Sequence, residues 1–153
     1  MMPEPPLRAA RESSYSARVL ASPLLLGASG ERDQATRIGT ARICVGSTLL
    51  APGFARRVFG VPDEQDNGTV RLASRLAGIR NVVLGCWTLQ VRDQGKEQRR
   101  LCYQLNAAVD AADVAVMAWA FVRHAELRRA ALMGTALGGS ALLAWLELLS
   151  ELD

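Results

Sequence analysis

Two aspartates one helical turn apart, Asp110 and Asp113, stand inside a run that is otherwise almost wholly apolar, Leu101 to Phe121. Carboxylates at that spacing share one face of a helix. Such a pair serves three kinds of chemistry: general acid/base catalysis, the holding of a proton or ion, and pairing with a cation. Catalysis needs companions, and the sequence does not offer them. The single histidine, His124, sits in a basic link with no ligand-spaced neighbour. Cys44, Cys86 and Cys102 lie far apart, without C-x-x-C or Cys/His spacing, and read as small buried hydrophobes. We therefore expect no catalytic residue, no metal site, no cofactor and no enzymatic activity.

Continued in steps of three and four, the aspartate face becomes Tyr103, Asn106, Asp110, Asp113 and Met117. Hydrocarbon cannot solvate that stripe, so it should face the interior of a bundle. Arg80 is its expected partner. It lies 12 residues before Arg92, while Asp110 and Asp113 lie 10 and 13 residues after Arg100. With two antiparallel helices joined by the Arg92 to Arg100 link, all three groups sit roughly 15–20 Å from one surface. One guanidinium would then meet two carboxylates, leaving one negative charge in surplus. The cluster Arg80, Asp110 and Asp113 is either an internal brace or a place for a proton, an ion or a polar headgroup. Asn81, Asn106 and Tyr103 are the supporting polar residues.

The elements that carry these groups are four apolar stretches of about 17–22 residues: Ile38 to Phe59, Val70 to Val91, Leu101 to Val122 and Ala130 to Leu149. Short polar links separate them. At about 1.5 Å per residue each can cross a hydrocarbon core of about 30 Å. The predicted fold is all-α: a four-transmembrane-helix bundle of up-down topology over residues 37–153, behind a non-spanning tail, residues 1–36. The tail holds a short apolar patch, Val19 to Leu26, too short to span. An amphipathic or disordered surface segment fits it better than a cleaved signal, because Pro23 breaks the patch and a long polar region precedes it. The competing architecture is a soluble helical domain, but soluble helices need a broad polar face that these stretches lack.

Finer readings follow. Pro52-Gly53 predicts an early end of the first helix near Phe54, with Ala55 to Phe59 along the surface. Arg42, near the start of the first stretch, is expected to snorkel to the headgroups. Ser74, Gly78, Asn81, Gly85 and Thr88 form a small, polar line that admits a close neighbour. Gly134, Gly138 and Gly139 make a G-x-x-x-G-G pattern, for packing within the bundle or for a partner's helix. Trp87, Trp119 and Trp145 fall toward helix ends, as interfacial indoles do.

Bulk properties agree. Half of the residues are hydrophobic, and the net charge is a mild +3. Only Lys96 among the 18 basic residues is a lysine, and no basic cluster is interleaved with aromatics, which argues against nucleic acid. Basic residues divide nine against six between the two sides of a four-span bundle, which favours both termini in the cytoplasm.

The run Leu49-Leu50-Ala51-Pro52-Gly53-Phe54-Ala55, then Arg57-Val58-Phe59-Gly60-Val61-Pro62, resembles the first helix of an uncharacterised family of small four-helix bacterial integral membrane proteins. That family's pattern of G-x-R-[DN], then a hydrophobic stretch closed by glycine, corresponds to Gly78, Arg80, Asn81 and Gly85, and its D-x-x-D pattern to Asp110 and Asp113. The resemblance covers about residues 38–149. It implies a bacterial inner-membrane protein in which the arginine and the aspartates belong together, and it implies no activity.

Three functions remain as expectations. The first is a non-catalytic accessory or interaction subunit of a larger membrane complex, its partners being lipids and other membrane subunits or a second copy. The second is a lipid-, quinone- or proton-binding or transport module using Arg80, Asp110 and Asp113. The third is a soluble helical binding domain.

Overall fold

A computed structural model describes residue 28 and residues 30–51, 53–60, 63 and 66–153. The tail reading up to residue 27, and Pro52 and Pro62, lie outside the described residues. All the described elements are helical. Helix α1 is Glu31–Leu50, α2 Phe54–Phe59, α3 Gly68–Val91, α4 Lys96–Arg123 and α5 Arg128–Leu152, with a 3-10 turn, Ala125–Leu127, before α5.

Local chemistry sets the boundaries. Glu31 and Asp33 occupy the first turn of α1, where carboxylates complement the helix dipole. Leu50 ends the helix: Ala51 is extended, and Gly53 turns the chain at φ 72°, a left-handed conformation that glycine adopts without strain. The expected break is therefore present, and Phe54–Phe59 forms a separate short helix. Asn67 starts α3 by accepting the N–H groups of Thr69 and Val70 at 3.0 and 3.1 Å. Helix α1 begins at Glu31, about two turns ahead of Ile38, so it takes in residues the composition assigns to the tail.

The helices associate as two antiparallel pairs, α1 with α3 and α4 with α5. In the first pair the backbones touch. A Cβ added to Gly46 would lie 2.6 Å from the Gly78 carbonyl oxygen, and one added to Gly85 would lie 2.6 Å from that of Gly39. Two glycines per helix, seven residues apart, thus make two close contacts along the pair, as the small line on the second apolar stretch predicts. In the second pair Met117 packs over Gly134 and Val114 over Gly138. Gly139 has open space beside it among the described residues.

The apolar core sits where the pairs meet, at the end holding the Arg92–Gly95 link. Ala35, Ile38, Val91, Cys102, Tyr103, Ala107, Ala144, Trp145, Leu148 and Leu152 form it. Elsewhere the ordinary distribution of residues is reversed. Arg42, Asn106, Thr88 and Asp110 are buried, while Leu72, Leu76, Ile79 and Val83 form an exposed stripe down α3, each more than half accessible. Two segments, Lys96–Arg123 and Ala125–Leu152, are long and apolar enough to cross a membrane. The α1 and α3 segments carry more charge and do not meet the same measure among the described residues.

Two placements correct expectations. Arg42 does not reach a helix end. With α1 starting at Glu31 it lies about 16 Å along the axis, and its side chain is turned inward and 6% exposed. Trp145 is fully buried instead of interfacial. Its N–H has an acceptor inside the bundle in Asp110, and its ring packs on Tyr103. Trp87 is half-buried against that core, and Trp119 is exposed near the end of α4.

Candidate functional site

The polar stripe of α4 turns inward at the junction of the two helix pairs: Tyr103, Asn106 and Asp110 are buried and Asp113 is half-buried. Asp110 does not meet Arg80. Its Oδ1 accepts from Arg42 Nη2, and its Oδ2 accepts from Trp145 Nε1 at 2.8 Å. Arg42 also donates from Nη1 to Asn81 Oδ1 at 2.8 Å, and its guanidinium lies 5.6 Å from the centre of the Trp145 ring. Tyr103 stacks obliquely on the same indole, with ring centres 5.7 Å apart.

Asp113 takes Arg80 in a two-pronged contact, Oδ1 accepting from Nη1 at 2.9 Å and Oδ2 from Nη2. The two ion pairs differ in surroundings. Side-chain exposure is 6% and 7% for Arg42 and Asp110, but 41% and 35% for Arg80 and Asp113. Both pairs border a cleft, and the second is far more open to it than the first.

The site is thus a tetrad of two arginines and two aspartates with no formal charge left over. This corrects the expectation of one arginine against two acids. Arg42 is the residue the sequence reading misplaces, and Trp145 the donor it omits. Both sit on helices other than those bearing Arg80 and the aspartates. Asn81 joins the cluster through Arg42 and fixes itself by donating from Nδ2 to the Ala77 carbonyl at 2.9 Å. Asn106 stays out of the tetrad: its Nδ2 donates to the Cys102 carbonyl at 2.9 Å. Tyr103 Oη donates to Glu31 at 2.8 Å, and Glu31 also accepts from Arg99, which ties α1 to α4 at the core end. Two donors of the tetrad, Arg42 Nε and Arg80 Nε, are buried without an acceptor among the described residues.

Above the tetrad a half-open cleft of about 350 Å³ separates the helix pairs. Arg42, Arg80, Asn81, Asp110 and Asp113 line its floor, and Val45, Leu49, Phe59, Met117 and Leu137 its apolar walls. Gly134 and Gly138 border it, and both pack against α4 side chains. At about 30 Å³ per water the space equals about a dozen waters, enough for a ring or a short polar head. Among the described residues no group of three or more His, Cys, Asp or Glu is placed to hold a metal ion. A self-neutralised tetrad under apolar walls suits recognition of an uncharged or zwitterionic head by hydrogen bonding. It does not suit the holding of a bare ion, which would find no net charge to oppose it. No protein-family model, no curated protein and no solved structure matches this chain.

Proposed function

We propose that the chain is a four-span integral protein of the bacterial inner membrane, with both termini in the cytoplasm, that binds an amphiphile and does not transform it. The ligand's uncharged or zwitterionic head lies over the tetrad of Arg42, Arg80, Asp110 and Asp113, and its apolar body lies between the helix pairs. Quinones and neutral-headed lipids have this chemistry.

One observation carries the reading: the only charges in the middle of the bundle sit at the floor of an apolar-walled cleft, among the described residues. Support for four spans comes from the reversed burial, with aliphatic side chains outward on α3 as well as on α4 and α5. At 20, 24, 28 and 25 residues, α1, α3, α4 and α5 are each about 30 Å long or more.

The test uses the purified, delipidated full chain in detergent, titrated with a short-chain benzoquinone while tryptophan fluorescence is followed. Trp145 lies on the tetrad, so bound quinone should quench it. Ala141→Phe, which fills the cleft, should weaken quenching by at least about tenfold, a loss of about 1.4 kcal/mol. Ala136→Phe, on the outer face of α5, should leave it unchanged. Equal affinity in all three proteins would reject the cleft as the binding place.

A second reading, an accessory subunit docked on another membrane helix, has Gly139 in its favour. Of the three glycines in the α5 pattern it alone has none of the described residues beside it.

A further inference from the structure

A second pocket, of about 400 Å³, opens at the end of the bundle where α1 turns into α2 and α3 begins. Leu49, Leu50 and Val70 form its apolar wall, and Arg57, Arg71 and Arg75 converge on it. Arg71 is engaged by Asp66, donating to it from Nε at 3.1 Å and from Nη2 at 3.2 Å. Arg57 and Arg75 have no carboxylate partner among the described residues. Among the described residues, three arginines against one aspartate leave the lining with a net charge of +2.

The opposite end of the bundle is built differently. There Arg37 meets Asp33, Arg92 meets Asp93, Arg99 meets Glu31 and Arg100 meets Asp153. Arginines at that end find their counter-charges within the chain. Of those in the pocket, only Arg71 does so among the described residues. Nor does the start of α3 call for an anion, because Asn67 already takes the N–H groups of Thr69 and Val70. The unmet demand is for an anion that suits guanidinium groups and lies beside aliphatic side chains.

We propose that this pocket binds the phosphate of an anionic phospholipid, with Arg57 and Arg75 on the phosphate oxygens and the glycerol and first methylenes along Leu49, Leu50 and Val70. The site rests on the four-span reading, which sets the α1–α3 turn at the headgroup layer. A planar guanidinium matches a phosphate edge with two parallel hydrogen bonds, and two such groups define a specific seat. The cleft over the tetrad carries no net charge, so the two sites select different head chemistries.

The test is native mass spectrometry of the delipidated full chain in detergent micelles doped with phosphatidylglycerol or with phosphatidylcholine. Each arginine near an anionic headgroup is worth about fivefold, so the parent chain should retain phosphatidylglycerol over phosphatidylcholine by about 25-fold. Arg57→Gln/Arg75→Gln should abolish that preference, and Arg57→Lys/Arg75→Lys should keep most of it. Arg32→Gln/Arg100→Gln removes the same charge at the other end and should change nothing. Equal retention of both lipids by the parent, or equal loss in the control pair, overturns the proposal. Displacement of the lipid by millimolar inorganic phosphate, with no preference between the two lipids, identifies a free-phosphate site and overturns the lipid assignment. Alkaline carbonate extraction separates the two readings. Release of the chain from membranes rejects the four spans, whereas a carbonate-resistant chain without lipid preference rejects this site alone.

Discussion

Removal of the Asp110 carboxylate is the sharpest perturbation of the tetrad. Asp110→Ala leaves Arg42, 6% exposed, with Asn81 as its remaining polar partner, and it strips the Trp145 N–H of its acceptor. Breaking a buried pair from one side costs about 3–5 kcal/mol, because the other charge stays buried without compensation. At about 2–4 °C per kcal/mol for a domain of this size, the apparent melting temperature should fall by roughly 6–20 °C. The assay is thermal unfolding in mild detergent, read by the size-exclusion peak that survives heating. Asp113→Ala is the internal comparison. Its pair with Arg80 is more than a third exposed on both sides and borders the cleft, where water can solvate the arginine left behind, so the cost should be about 1 kcal/mol or less. Arg42→Met/Asp110→Leu removes both buried charges together and should recover most of the loss, to within about 5 °C of the parent. If Asp110→Ala melts within about 2 °C of the parent, or if Asp113→Ala costs as much, the distinction between a buried and an open ion pair is wrong.

Glycine substitutions should rank by the space available. Gly46→Ala places a methyl 2.6 Å from the Gly78 carbonyl oxygen and 2.8 Å from the Val82 nitrogen, both backbone atoms, and should cost about 1–3 kcal/mol. Gly139→Ala meets nothing within 4 Å among the described residues and should be neutral or stabilising by up to about 1 kcal/mol in the same melting assay; the reverse order would refute the α1–α3 contact. Thiol labelling tests immersion directly. Cys44 and Cys86 are exposed on the bundle surface and Cys102 is buried. In sealed proteoliposomes a charged maleimide should label none of them, since hydrocarbon disfavours the thiolate; in denaturant it should label all. Rapid labelling of Cys44 and Cys86 before denaturation would reject the four-span reading.

Helix content and the inward turn of the α4 stripe are legible in the sequence because both follow from local pattern: apolar length in the first case, steps of three and four in the second. The break after Leu50 is legible because proline and glycine act locally. The pairing of charges is not. Depth along a helix can be counted from a link, and that count puts Arg80 and Asp113 at one level. It does not say which helix lies opposite. Direct backbone contact between α1 and α3 aligns Arg42 with Asn81 and brings Arg42 to Asp110, across 68 residues of sequence. Arg42 is misread for a second reason. Charged residues from Glu31 to Arg37 resemble a tail in composition, yet they form the first turns of α1, so a residue that composition places near a helix start lies well inside it. Trp145 is misread because position near a helix end says nothing of what the neighbouring helix places against it.

The division of the tetrad between the helix pairs has a consequence for how the chain is made. On the four-span reading, synthesis from the amino terminus delivers both arginines before either aspartate exists. Asp113 emerges 33 residues after Arg80, and Asp110 emerges 68 after Arg42. The first hairpin therefore enters the bilayer cationic, with Asn81 as the one tetrad neighbour it can offer Arg42. The second hairpin enters anionic. Each half carries an intramembrane charge that only the other cancels, so assembly is rewarded at a single registry of the two, and a first half whose complement never arrives remains distinguishable from the finished protein by its uncancelled arginines.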